Sequence, residues 1–393
     1  MKFNIWKDYP KMTLPDVLSF IVDNRGKTVP TTENGHILIA TNCVRNENLY
    51  PSYEKIRFLS EETYQTWFRA HPLPGDILFV CKGTPGRCCL VPDPLDFCIA
   101  QDMVALRANQ DIIYNYFLLA VLRSREIQLQ ITNTSVGDVI PHFKKSFFDR
   151  IMIPVPPLDI QKIIGNYYMA FSNKIEINKK INENLEQQSL ALFSNYYEQS
   201  NTEIGFTDLI QVLGGGTPKT RESTYWNGNI PFFTPKDVGF PYTLATEKTI
   251  TEDGLLHCNS RLYPVNTVFV TARGTVGKVG IAGVPMAMNQ SCYALIGKGI
   301  HQLLVYFYTL KAIDRLKHKA SGAVFDAIIT KDFETEQVFK LSPNDTDTFI
   351  RIVEPMYQSI LNNSIEKQRL IALRDSLLPK LMSGEIDISN LDL

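Results

Sequence analysis

The sequence predicts an α+β chain of two tandem mixed α/β globular units, separated and held by two long antiparallel coiled-coil helices in a pseudo-twofold internal repeat. Three observations predict it. Ile164, Phe171, Asn178, Leu185 and Leu192 recur every seven residues, apolar but for one Asn. Phe349, Met356, Asn363, Leu370 and Leu377 repeat that ladder 185 residues downstream, with the Asn on the same rung. The segments preceding the two ladders also match in order, at offsets between 185 and 193 residues. A heptad stripe keeps one seam facing a partner helix, and a polar seam residue fixes register at a cost in stability. Two stripes that agree rung for rung point to duplication.

A chain of 393 residues is long for one core, and 44% hydrophobic with 21% charged residues is the balance of a folded globular protein. No apolar run approaches the ~20 residues that span a bilayer. Met1 to Pro10 is polar and aromatic and lacks a signal-peptide core. A cytoplasmic protein with no membrane contact is expected. None of the seven cysteines forms a CxxC pair, so reduced, partly buried thiols are expected instead of zinc ligands or disulfides. The net charge of −1 neither supports nor excludes nucleic acid, since a basic face can be balanced elsewhere.

In chain order, Leu14 to Leu18 leads to a turn around Arg25-Gly26-Lys27-Thr28-Val29-Pro30. Gly35 to Val44 reads as a buried strand, and Asp76 to Cys81 as another. The latter runs into Lys82-Gly83-Thr84-Pro85-Gly86-Arg87, a glycine turn with a cation at each end. Phe97 to Arg107 gives a further strand, and Tyr114 to Gln130 has helical periodicity. Ile151 to Pro157 is extended, because residues before proline are pushed out of the α region. The long helix from Leu158 follows, and at 1.5 Å per residue it spans about 60 Å. The second half repeats the order. Pro264 to Thr271 stands for Pro74 to Cys81, and Arg273-Gly274-Thr275-Val276-Gly277-Lys278 for Lys82 to Arg87. Gln290 stands for Gln101, and Lys331 for Lys145. The expected divisions are a first unit over 1–157, a helix over 158–200, a second unit over 201–342, and a helix with tail over 343–393.

No catalytic or metal site is expected. GxSxG, HExxH, GxxxxGK[ST] and paired-Cys motifs are absent, as is an NPPY or DPPY run that could grip a flipped base. The six histidines share no ligand spacing, and Gly214-Gly215-Gly216 lacks the G-x-G-x-x-G spacing of a dinucleotide site. The best functional candidates are the two cation–Gly–Thr–x–Gly–cation turns. Glycine lets backbone approach a ligand closely, and flanking Lys or Arg suits phosphate oxygens. The plainer account is two hairpin turns with solvated cations.

Leu213 to Val238 (LGGGTPKTRESTYWNGNIPFFTPKDV), Ala272 to Ile281 (ARGTVGKVGI) and Met288 to Leu295 (MNQSCYAL) resemble a target recognition domain. That domain belongs to the specificity (S) subunit of type I restriction–modification systems. Gln368 to Ser389 is similar to the end of that family's distal conserved helix. The first half departs from the pattern, with Arg25-Gly26-Lys27-Thr28 in place of GGTPKT and no Tyr-Trp-x-Gly element. The resemblance implies a non-catalytic subunit that binds double-stranded DNA, each unit reading half of a bipartite target. It implies docking of two modification (methyltransferase) subunits and recruitment of restriction (translocase/nuclease) subunits. S-adenosylmethionine, ATP and Mg²⁺ would then belong to those partners, with no cofactor in this chain. The residues expected to touch DNA are Arg25, Lys27, Lys82, Thr84, Arg87, Gln101 and Lys145 in the first unit. In the second they are Thr217, Lys219, Thr220, Arg221, Lys236, Arg273, Thr275, Lys278 and Gln290. The expected helix seam is Phe171, Asn178, Leu185, Leu192, Met356, Asn363, Leu370 and Leu377. The alternative is a coiled-coil adaptor whose globular units bind partners other than DNA.

Overall fold

The computed structural model describes residues 4–24, 27–135, 141–239, 241–319 and 327–387. Two helices dominate, a central one at Leu158–Gln199 and a distal one at Pro343–Ser383. The chain forms two compact units, Met1–Ile177 with Gln368–Leu393, and Asn178–Lys367. These divide the chain inside both helices, where the sequence suggests cuts at the helix ends. Each helix half is apolar on the side facing its own unit and belongs to that unit's core.

In the first unit, a four-stranded antiparallel sheet has the order Leu18–Val22, Met103–Ala108, Ile77–Val80, Cys88–Leu90. Side chains alternate across a strand. Ile77, Phe79, Val104 and Leu106 therefore face one core, and Leu78, Val80 and Ala105 face another. Both faces are covered, which explains the unbroken apolar run in the sequence. The first core is closed by the helix Asn115–Arg123, by Ile160, Ile164 and Tyr168 of the central helix, and by Leu378, Leu381 and Met382 of the distal helix. A second sheet orders Arg57–Leu59, His36–Ile39 and Phe97–Ile99, the last pair parallel.

The second unit repeats this plan. Ile210–Gly214, Cys292–Gly297, Val268–Thr271 and Val279–Ala282 pair in the same antiparallel order, with Tyr242–Thr243 added at the edge. Lys248–Ile250, Trp226–Phe233 and Ala287–Met288 form the smaller sheet, again with a parallel last pair. The helix Gln302–Lys319 packs with Phe193, Phe349 and Tyr357 in the main core.

Two elements differ from the sequence expectation. The periodic stretch Tyr114 to Gln130 is two helices, Asn115–Arg123 and Arg125–Thr134, broken at Ser124 with ψ 152°. The Ser124 hydroxyl caps the second helix by accepting from Ile127 N at 3.4 Å, the local bond that makes serine a helix starter. Phe97 to Arg107 is two strands in different sheets, because Asp102 takes φ 76° and turns the chain.

The seam also differs in phase. In the second unit Asn182 meets Asn363, Glu186 meets Tyr357 and Phe193 meets Phe349, so the two helix segments run antiparallel. In the first unit Arg374 lies 5.5 Å over the Tyr168 ring. Of the expected seam residues Asn178 is buried, whereas Phe171, Leu185, Leu192, Met356, Asn363, Leu370 and Leu377 are half-buried. Buried positions fall one step later at Ser172, Glu186, Phe193, Tyr357 and Leu378, and the distal helix also buries Val353, Ile360, Arg374 and Leu381. The cause is a third helix in each unit. A Cβ added to Gly165 would lie 2.8 Å from Phe117 N, and Phe193 stacks on Phe307 at 5.0 Å. A groove filled by three helices rotates the buried line away from that of a two-stranded coil.

Among the described residues no helix is long and apolar enough to cross a membrane, and no group of His, Cys, Asp and Glu could hold a metal ion. The seven cysteines are unpaired, all buried but Cys258.

Candidate nucleic-acid interface

The two glycine turns are built alike. Each leaves a strand that is buried on both faces, Ile77–Val80 or Val268–Thr271, and reverses at glycines with positive φ. These are Gly83 (86°) and Gly86 (87°) in one turn, Gly274 (82°) and Gly277 (73°) in the other. Glycine adopts this region without steric cost. Inside the second turn the buried Thr271 hydroxyl accepts from Lys278 N at 2.9 Å and donates to the Thr275 carbonyl.

Where each turn begins, the backbone is held the same way. Cys81 N and Lys82 N donate to the Asp102 carbonyl at 2.8 and 3.2 Å, while Ala272 N and Arg273 N donate to the Ser291 carbonyl at 2.8 and 3.3 Å. Phe143 N donates to the Cys81 carbonyl at 2.8 Å, and Ile328 N to the Ala272 carbonyl at 2.9 Å. The first cation of each turn, Lys82 or Arg273, thus stands exposed at the rim of a cleft on an immobilised backbone.

In the first unit that cleft brings Lys82, Gln101 and Lys145 together, with Asn24, His142 and Lys144 beside them. Lys145 forms an ion pair with Asp23. In the second unit the cleft joins Lys236, Arg273 and Thr275, together with Lys248, Asn289 and Ser291. Asp237 shapes its wall by accepting from Thr234 N at 2.8 Å and Glu247 N at 2.7 Å. Thr275 Oγ1 donates to the Pro235 carbonyl at 3.3 Å, and Lys236 lies 3.9 Å from Glu247 with both ends largely exposed. Exposed pairs of this kind hold a cation loosely.

The triple glycine has a packing role. A Cβ on Gly215 would lie 2.1 Å from the Asn289 carbonyl oxygen, and one on Gly216 would lie 2.6 Å from Asn259 N. This close approach seats Thr217 against Gln290, whose side-chain oxygen accepts from the Thr217 hydroxyl. Two expected residues thereby become one hydrogen-bonded pair. Lys219, Thr220 and Arg221 lie exposed on the loop that follows, outside the cleft. Lys27, Thr84, Arg87 and Lys278 also fall outside the clefts, and Arg25 lies outside the described residues.

Sequence reasoning missed Asn24, His142 and Lys144, and in the second unit Lys248, Asn289 and Ser291. Asn289 and Ser291 flank Gln290 and had a positional signal. Asn24 beside Arg25 and Lys144 beside Lys145 had the same signal, whereas His142 and Lys248 reach the clefts only through chain folding. Burial pushes the Cys81 and Cys292 thiols each up to about 12, so neither is a nucleophile at neutral pH. The clefts offer cations, amides and hydroxyls on rigid backbone, which suit phosphate oxygens and base edges.

The model of the type I restriction modification DNA specificity domain matches the chain twice, over residues 7–187 and 201–373. The chain belongs to this family. The specificity-domain chain is 21% identical to the HindI specificity subunit of Haemophilus influenzae, the match covering 79% of this chain and 86% of that protein. It is 27% identical over 170 residues to the MjaIX specificity subunit of Methanocaldococcus jannaschii, where the match spans only 39% of the relative. In fold it is similar to the crystal structure of a type I restriction-modification system S subunit from M. genitalium. That likeness has a TM-score of 0.58 at 17% identity and covers 97% of this chain and 98% of the other.

Proposed function

We propose that this chain is the sequence-reading subunit of a type I restriction–modification complex, each unit reading one half of a bipartite DNA target. The observation that carries this is the duplicated cleft. Both units hold the first cation of a glycine turn on the same pattern of backbone hydrogen bonds, while the side chains around it differ between them. A shared backbone support with divergent polar side chains is what two readers of different sequences require, since phosphate contacts fix register and base contacts specify.

On this reading the chain performs no chemistry. Adenine methylation and ATP-dependent cleavage fall to partners, which hold S-adenosylmethionine, ATP and Mg²⁺. Two methyltransferase subunits dock on the long helices and restriction subunits join them, in the cytoplasm.

The test is domain exchange in a complex reconstituted with the methyltransferase subunits. Replacing residues 201–342 by those of a relative should change one half of the methylated motif and leave the other intact. A motif indifferent to that exchange sinks the proposal. DNA binding that does not weaken with added salt would instead favour the adaptor role, because phosphate contacts release counterions.

A further inference from the structure

Three segments of the second unit converge outside the Arg273 cleft. Gly216 abuts the backbone of Asn259, and Thr217 bonds to Gln290. The Ser260 hydroxyl accepts from Met288 N at 3.0 Å. The loop Cys258 to Arg261 is therefore clamped from both sides. The short helix before it, Glu252–Leu256, is clamped too. Thr251 Oγ1 caps Gly254 N at 3.0 Å, a Cβ on Gly254 would lie 2.4 Å from the Tyr225 carbonyl oxygen, and His257 stacks on Tyr225 at 5.0 Å.

On this rigid base Asn259 and Arg261 are exposed, and neither side chain is held by a hydrogen bond or ion pair to the described residues. The clamped loop thus presents both side chains outward. Asn and Arg are also the residues whose paired donors and acceptors match single base edges, adenine for an amide and guanine for a guanidinium. We infer that Asn259 and Arg261 are specificity-determining residues of the second unit, reading base edges while Arg273 and Lys236 hold phosphates. The first unit has a counterpart. Its short helix Glu61–Thr66 is capped by Ser60, and the segment after it is pinned through Arg69 N, which donates to Asn24 Oδ1 at 3.0 Å and leaves the Arg69 side chain exposed.

This inference rests on the proposed DNA-reading function, and its test separates the two. Complexes carrying Asn259→Ala, Arg261→Ala or Arg261→Lys are assembled with the methyltransferase subunits, and the methylated motif is read by sequencing. Each variant should lose discrimination at one or two base pairs of the second unit's half-target, by about 5- to 150-fold at the affected pair. The other half-target should stay unchanged. Arg261→Lys keeps the charge but loses the fork, so it should bind with wild-type salt dependence and still lose discrimination. Intact complexes of all three variants with wild-type discrimination at every position would overturn the inference and leave the DNA-reading function standing. A wild-type complex whose motif is indifferent to the second unit would overturn both.

Discussion

Tyr357 donates its hydroxyl to Glu186 Oε2 at 2.5 Å in the interior of the second unit. Tyr306 donates to the other carboxyl oxygen at 2.8 Å, and Glu186 is 1% exposed. One carboxyl thus ties the central helix to the distal helix and to Gln302–Lys319. Burial pushes its pKa above the ordinary glutamate value, against the opposing pull of the two hydroxyls. A carboxyl with a raised folded-state pKa supports folding most below its unfolded pKa and loses that support as pH rises through the raised value. Glu186→Gln should therefore gain stability relative to the native chain as pH is raised from about 4 to about 8, read by urea denaturation of the full chain at each pH. Parallel pH profiles for the two proteins would show that the carboxyl does not titrate. Glu186→Ala leaves two buried hydroxyls unpaired beside a cavity and should cost about 2–5 kcal/mol.

Asn363 Nδ2 donates to Asn182 Oδ1 at 2.9 Å, and Asn182 Nδ2 donates to Ser364 Oγ at 3.1 Å. Either Asn→Leu change alone strands a half-buried amide and should cost about 1–2 kcal/mol. The double change Asn182→Leu with Asn363→Leu should recover most of that loss, since a polar seam pair trades stability for register. A double-mutant cycle by denaturation checks it, with a coupling of about 1 kcal/mol or more expected. Strict additivity would mean that the amides act independently.

Lys236→Ala and Arg273→Ala in the second unit, and Lys82→Ala in the first, should weaken binding by the reconstituted complex nearly equally for all DNA sequences. Each should also reduce the slope of log affinity against log salt by about 1. Fluorescence anisotropy at several salt concentrations measures both quantities. A variant that changed the preferred sequence while keeping the slope would reassign that cation to base reading.

Adding one heptad after Ile177, with a matching heptad after Lys367, lengthens the paired helices by about 10 Å, the length of about three base pairs. The methylated motif should keep both half-sites and change the unread interval between them. Altered half-sites with an unchanged interval would rule out the helices as a ruler.

The duplication, the two long helices and the glycine turns could be read from the sequence because they rest on local signals: heptad period, positive-φ glycine, and apolar strands bounded by turns. The break at Ser124 could be read only weakly, because the apolar period continues across it and a single serine cap competes with that signal. Among the cleft residues, Lys82 and Arg273 stood out through their turns, whereas His142 joins Lys82 only because separate segments meet at one cleft.

The sequence by itself determined that the chain is a repeated unit–helix pair with polar, cation-bearing turns, since periodicity and backbone restriction act over a few residues. Only the tertiary structure decided which line of each helix is buried, because a third helix in each unit shifts that line from Leu185 and Met356 to Glu186 and Tyr357. It alone also seated Thr217 on Gln290 and clamped Asn259 beside them. Such contacts join residues dozens of positions apart, and their geometry follows from packing that no local pattern encodes.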